Sequence, residues 1–79
     1  MRIDKFLKNS RLIKRRTVAK EACDKGRIFV NDKQAKAGTE VVEGDIIKIC
    51  FGDKEIKAKV LNLTESQRKE DAVNMYETV

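Results

Sequence analysis

Ile3, Phe6 and Leu7 recur at the i, i+3, i+4 spacing of one helical face, so the chain opens on a short predicted helix over residues 2–9. Asp4 falls in its first turn, where a carboxylate favours the positive end of the helix dipole, with Lys8 four residues on. The period breaks between Ser10 and Lys14. It resumes from Arg15 to Lys25, with Ala19, Ala22 and Cys23 as an inner stripe and Glu21 to Lys25 as a Glu-first i,i+4 pair. Gly26 supplies a left-handed C-terminal cap.

Alternation then replaces helical spacing. In RIFVNDKQAK, Ile28 and Val30 point one way and Arg27 and Phe29 the other, while Asn31-Asp32 provides two residues that tolerate positive φ, so a hairpin is predicted. Glu43-Gly44-Asp45 marks a turn before an apolar strand through Ile47, Ile49 and Phe51. A second turn at Gly52-Asp53 precedes a last alternating strand, with Ile56, Ala58 and Val60 on one side and Lys57 and Lys59 on the other. From Thr64 onward, Thr64 and Gln67 suggest a capping box, and Ala72, Val73 and Tyr76 fall on one helical face. The pattern predicts an α+β fold: two N-terminal helices at an angle, packed on a small, mostly antiparallel sheet of four to five short strands. Residues 1–63 form the expected domain and 64–79 a helical or flexible tail.

At 79 residues the chain holds one domain, and a chain this short buries roughly 60% of the surface its unfolded form exposes. Separate substrate and cofactor lobes do not fit. Four aromatic residues, three Phe and one Tyr, leave little for stacking bases, so nucleic-acid binding would rest on phosphate charge and shape. With no His, no CxxC spacing, no paired carboxylates in a cleft and no glycine-rich phosphate loop, the expectation is a non-enzyme without metal or cofactor. Cys23 and Cys50 read as small buried hydrophobes, although sequence leaves a disulfide between them open. The charged start Met1-Arg2-Ile3-Asp4-Lys5 and the lack of a long apolar run predict a cytoplasmic protein with no membrane partner.

Charge is unevenly spread. The net charge is +5, but residues 1–36 carry +8 and residues 37–79 carry −3. In SRLIKRRTVAK, residues 10–20, five basic residues stand with no acid. Once the apolar stripes face inward, Arg2, Lys5 and Lys8 on the first helix, Arg11, Lys14 and Arg15 in the bend, and Arg16 and Lys20 on the second helix must face outward. Such crowding destabilises the free protein by a few tenths of a kcal/mol per close pair, roughly, which an external polyanion would relieve. A solubilising face would interleave both signs. An interfacial membrane helix would need the bulky apolar residues that the core already uses. Nucleic acid fits better, with the arginines suited to bidentate phosphate contact. The acidic second half leaves room for a protein-interaction adaptor as an alternative.

Taken in order, Gly26-Arg27-Ile28-Phe29-Val30-Asn31-Asp32, Gly44-Asp45 and the helix pair before them resemble the RNA-binding domain named after ribosomal protein S-four of the small subunit. The likeness covers about residues 1–50, with Asp32 where that family prefers Gly. Through RIDKFLK, SRLIKRRTVAKE, KQAKA and NMY the chain is similar to small stand-alone members of bacterial ribosome-associated quality control. These are related to heat-shock proteins that bind free large subunits. The resemblance implies binding to stalled large subunits carrying peptidyl-tRNA, with contacts to ribosomal RNA and tRNA. It also implies support for an RqcH-type alanine-tailing factor by a chain that is monomeric when free; a heat-shock-type recycling role is the alternative. It carries over Arg2, Lys5, Arg11, Arg15, Arg16 and Lys20 as RNA contacts. Arg16 is foremost, because it opens the R-x-x-A step of the second helix.

Overall fold

Over residues 1–63, period-3.6 and period-2 segments become helices and strands in the order expected. The computed structural model describes residues 1–63 and 74–79. Helices α1 (Ile3–Asn9) and α2 (Arg16–Asp24) precede strands β1 (Ile28–Val30), β2 (Lys33–Gln34), β3 (Ile46–Phe51), β4 (Lys54–Val60) and β5 (Tyr76–Thr78). The strands form one antiparallel sheet in the order β2-β1-β3-β4-β5. Ile3, Phe6, Leu7, Ala19, Ala22 and Cys23 are all buried, and they meet Ile28, Val30, Ile47, Ile49 and Val60 from the sheet in one core. Removing this apolar surface from water is what holds two helices, each too short to persist alone, on the sheet.

The turns follow their chemistry. Asn31 and Asp32 have φ of +51° and +67°, so both central residues of the β1-β2 hairpin take the left-handed conformation that a two-residue loop of this hand requires. Asp32 therefore adopts the left-handed conformation for which glycine is the usual choice. Asn31 also clasps the next turn: its Nδ2 donates to Asp45 Oδ1 at 3.1 Å, and its Oδ1 accepts from the Ile46 N–H at 3.0 Å. Asp45 Oδ2 accepts from the Val42 N–H at 2.9 Å, which closes the Gly44 turn.

Several expectations need correction. Tyr76, placed on a helical face by its spacing, lies in β5 and pairs with Val60 of β4. A single edge strand of three residues carries too short a pattern to be told from one helical turn. Thr64, Gln67, Ala72 and Val73 lie outside the described residues. Phe51 and Ile56, grouped by alternation with residues that are buried, are 39% and 36% exposed: they sit toward the far end of the β3-β4 hairpin, where Phe51 lies beside Val18 and Ala22 of α2 but is left partly open. Cys23 is buried as expected, Cys50 only partly so, and both are free thiols.

Candidate nucleic-acid interface

Arg2 is held by its backbone before its side chain is considered. It caps α1 in an extended conformation and bridges to Glu40, while the Ile3 N–H donates to Thr39 O at 2.7 Å and the Val41 N–H to Met1 O at 2.9 Å. The chain's amino terminus pairs with Glu40 at 2.8 Å. One residue into α1, Asp4 is turned inward, its side chain 4% exposed. Its Oδ1 accepts from the Lys5 N–H at 2.8 Å and lies 3.3 Å from Arg2 Nε. Its Oδ2 accepts from Arg16 Nε at 3.3 Å and from Arg2 Nη2 at 3.4 Å.

A buried carboxylate therefore joins the first turns of both helices through two arginines, each about half exposed. Arg16 engages Asp4 through Nε, so its terminal nitrogens remain available to an acceptor outside the protein. A planar guanidinium held at one edge presents a fixed fork to phosphate, which a mobile lysine cannot do.

The bend between the helices gathers a second group. Ser10 is buried, its hydroxyl donating to Leu7 O at 3.2 Å and accepting from the Leu12 N–H at 3.4 Å, while the Ile13 N–H donates to Leu7 O at 3.1 Å. Folding back onto the helix end while burying Ile13 forces Arg11 to a φ of +63°. A residue with a Cβ holds that conformation at a cost of about 1–2 kcal/mol. Arg11 is exposed there and lines a cavity of about 170 Å³ with Lys8, Lys14 and the buried Asn9. The amide of Asn9 has no hydrogen-bond partner among the described residues.

The eight expected contact residues thus fall into two clusters and a flank. Arg2 and Arg16 meet at Asp4, and Lys8, Arg11 and Lys14 meet at the bend. Arg15, the extended N-cap of α2, and Lys20 one turn beyond Arg16 are exposed, whereas Lys5 is half-buried along α1. Sequence reasoning treated Asp4 as a helix-start charge and missed that it organises the arginines. The available signal was that Asp4 is the only acid before Glu21. Among the described residues no group of three or more His, Cys, Asp or Glu could hold a metal, and no helix is long and apolar enough to cross a membrane.

A family model described as the S4 domain matches residues 1–47, which takes in both helices, the hairpin and the Asp45 turn. The chain belongs to the S4 domain family. Over 77 residues, 98% of its length, this S4 chain is 58% identical to the RQC P-site tRNA stabilizing factor of Halalkalibacterium halodurans, covering 88% of that protein. It is 54% identical to the factor of the same name from Bacillus subtilis, over 96% of this chain and 88% of that one. Among solved structures, the trimeric heat shock protein 15 of Vibrio cholerae superposes with a TM-score of 0.91 at 25% identity, covering 100% of this chain and 81% of that one. The solution structure of hypothetical protein HP1423 superposes with a TM-score of 0.84 at 31% identity, covering 100% and 96%.

Proposed function

We propose that this S4 chain is a non-enzymatic RNA-binding factor of the large ribosomal subunit. It engages stalled subunits that carry peptidyl-tRNA, contacting ribosomal RNA and the P-site tRNA. In doing so it supports alanine tailing of the nascent chain by an RqcH-type partner. It works in the cytoplasm and is a monomer when free. The observation that carries this reading is the Arg2–Asp4–Arg16 cluster, an oriented pair of guanidinium groups on a face with no acid between Lys5 and Lys20. Relatives 54–58% identical over nearly the whole chain are named for tRNA stabilisation in ribosome quality control. Oriented cations with little aromatic surface suit an A-form RNA helix, which is recognised by shape and phosphate position.

The test is sedimentation of ribosomal particles at two salt concentrations with the wild type and with Arg16→Ala. The expected result is wild-type protein on large subunits bearing peptidyl-tRNA, weakened by salt and by the substitution. Protein that stays at the top of the gradient, or that rides on particles regardless of Arg16, would overturn the reading. A heat-shock-type recycling role has the TM-score of 0.91 in its favour. It predicts binding to subunits without peptidyl-tRNA and no loss of alanine tails when the protein is removed.

A further inference from the structure

Asp24 is in the wrong place for a merely solvated acid. It is the last residue of α2, whose final turn has no basic residue, so its carboxylate faces the negative end of the helix dipole. It also follows Arg16 and Lys20 at four-residue steps, which puts an acid on the helix face that the phosphate-binding reading requires to be cationic. Among the described residues no ion pair relieves it, although Glu21 in the turn before is paired with Lys25 at 3.5 Å.

Asp24 lines a cavity of about 380 Å³ together with Cys23, Gln34, Ala35 and Lys36. That volume lies within the roughly 300–1,000 Å³ of small-ligand pockets. Cys23 and Ala35 are buried beneath the cavity, whereas Asp24, Gln34 and Lys36 are exposed polar groups around it. The walls are fixed by backbone. The Ala35 N–H donates to Ile28 O at 2.8 Å, the Lys36 N–H to Thr39 Oγ1 at 2.9 Å, and the Gly26 N–H to Cys23 O at 3.0 Å. Gln34 Nε2 lies where a Cβ on Gly26 would stand. Gly26, at φ +71°, is favoured by the left-handed turn, and its missing side chain leaves room into which the Gln34 amide reaches.

We infer that this cavity receives an unstacked guanine base from the RNA strand whose phosphates lie along Arg16 and Lys20, an inference that rests on the RNA-binding reading above. Guanine presents two adjacent N–H donors on its Watson–Crick edge, which a carboxylate accepts as a pair, and beside them an O6 acceptor for the Gln34 amide or the Lys36 ammonium. Single-stranded loops and bulges offer splayed bases of this kind. An acid that repels phosphate thereby gains a use on a phosphate-binding face.

The test titrates the full-length protein with GMP, AMP, CMP and UMP, following backbone amide resonances in the wild type, Asp24→Asn and Gln34→Ala. Saturable shifts at residues 23–26 and 34–36 are expected, with GMP bound about tenfold tighter than AMP or UMP. Asp24→Asn should erase that preference while leaving the melting temperature unchanged or higher, an outcome that a structural role for the acid would not give. Equal binding of the four nucleotides, shifts confined to Arg16 and Lys20, or no saturable shift would each overturn the inference. Sedimentation with ribosomal particles is a separate readout. If it succeeds while guanine selectivity fails, only the pocket is lost; if particles are not bound while GMP is, the ribosomal reading falls and the pocket stands.

Discussion

Arg16 Nε lies 3.3 Å from Asp4 Oδ2, and this contact ties the start of α2 to the first turn of α1 across twelve residues of sequence. The same carboxylate holds Arg2. Asp4→Asn separates two physical effects. It raises the net charge by one, so bulk electrostatics alone would tighten RNA binding. Yet it keeps an oxygen for the Lys5 N–H while losing the charge that orients both guanidinium groups. Weaker binding to large subunits is expected, by about three- to tenfold, because mobile arginines must be ordered on contact. Stability should fall by about 1–2 kcal/mol, less than for a fully buried pair because both arginines are half exposed. Co-sedimentation and urea unfolding check the two parts, and tighter binding would show that orientation is unimportant.

Salt dependence measures how many phosphates the face engages. Neutralising about five phosphates gives a log-log slope of roughly −3.5 to −4.5. Removing one contact with Arg16→Ala should shorten the slope by about 0.7–0.9. A slope near zero for the wild type would place the affinity elsewhere than on phosphate.

The Asn31–Asp45 clasp was half legible in the sequence. Asn-Asp between alternating runs announced a tight hairpin, and Gly44-Asp45 announced a turn, but nothing in the pattern joined them, since a side-chain bond spanning fourteen residues depends on tertiary packing. Asn31→Ala loses two hydrogen bonds and forces alanine to φ +51°, so a loss of about 2–3 kcal/mol is expected. Asp32→Gly, at φ +67°, should stabilise by about 0.5–1 kcal/mol or leave stability unchanged. Chemical denaturation midpoints distinguish the outcomes. Destabilisation by glycine would mean that the Asp32 side chain holds the turn.

What the sequence disclosed followed how local each signal was. The core stripe of α1 and α2 was readable residue by residue, because spacing within one helix fixes which face is buried. The basic face was readable by subtraction, since the inner positions were taken. The internal carboxylate of Asp4 was not, because an acid in a first turn already has a sufficient local reason to be there. Likewise the exposure of Phe51 and Ile56 depends on how much of each sheet face the rest of the fold covers, which no strand pattern records.

Burial pushes the Cys23 thiol up from 9.0 to about 11, with the charges of Asp4 and Asp24 adding to the shift. The raised value means that the folded protein keeps a proton that the unfolded chain releases between about pH 9 and 11. Its contribution to stability is therefore complete below about pH 9 and declines as pH rises through that window, by at most about 1.4 kcal/mol per unit. Cys23→Ala should flatten the fall in melting temperature across this range relative to the wild type. In the native protein at about pH 8, an alkylating reagent should modify the partly exposed Cys50 well before Cys23. Equal reactivity would show that Cys23 is not shielded.

Met75 turns the end of the chain into part of the core. It is fully buried, and its carbonyl accepts from the Leu61 N–H at 2.8 Å, so the residues just before β5 are docked and β5 then pairs with β4. Tyr76 packs partly against the same core. Patterning missed this because one buried methionine beside a three-residue edge strand carries no period. Met75→Ala removes the apolar side chain that seats β5, with an expected loss of about 2–4 kcal/mol for a buried methionine. The helix pair is held by other residues, so large-subunit binding at low temperature should survive in the fraction that remains folded. Hydrogen exchange provides the sharper check. In the variant, the N–H groups of Leu61 and Val79, which donate to Met75 O and Lys57 O, should lose protection while those of α1 and α2 keep theirs. Uniform loss across both helices would instead make β5 an inseparable part of one cooperative unit.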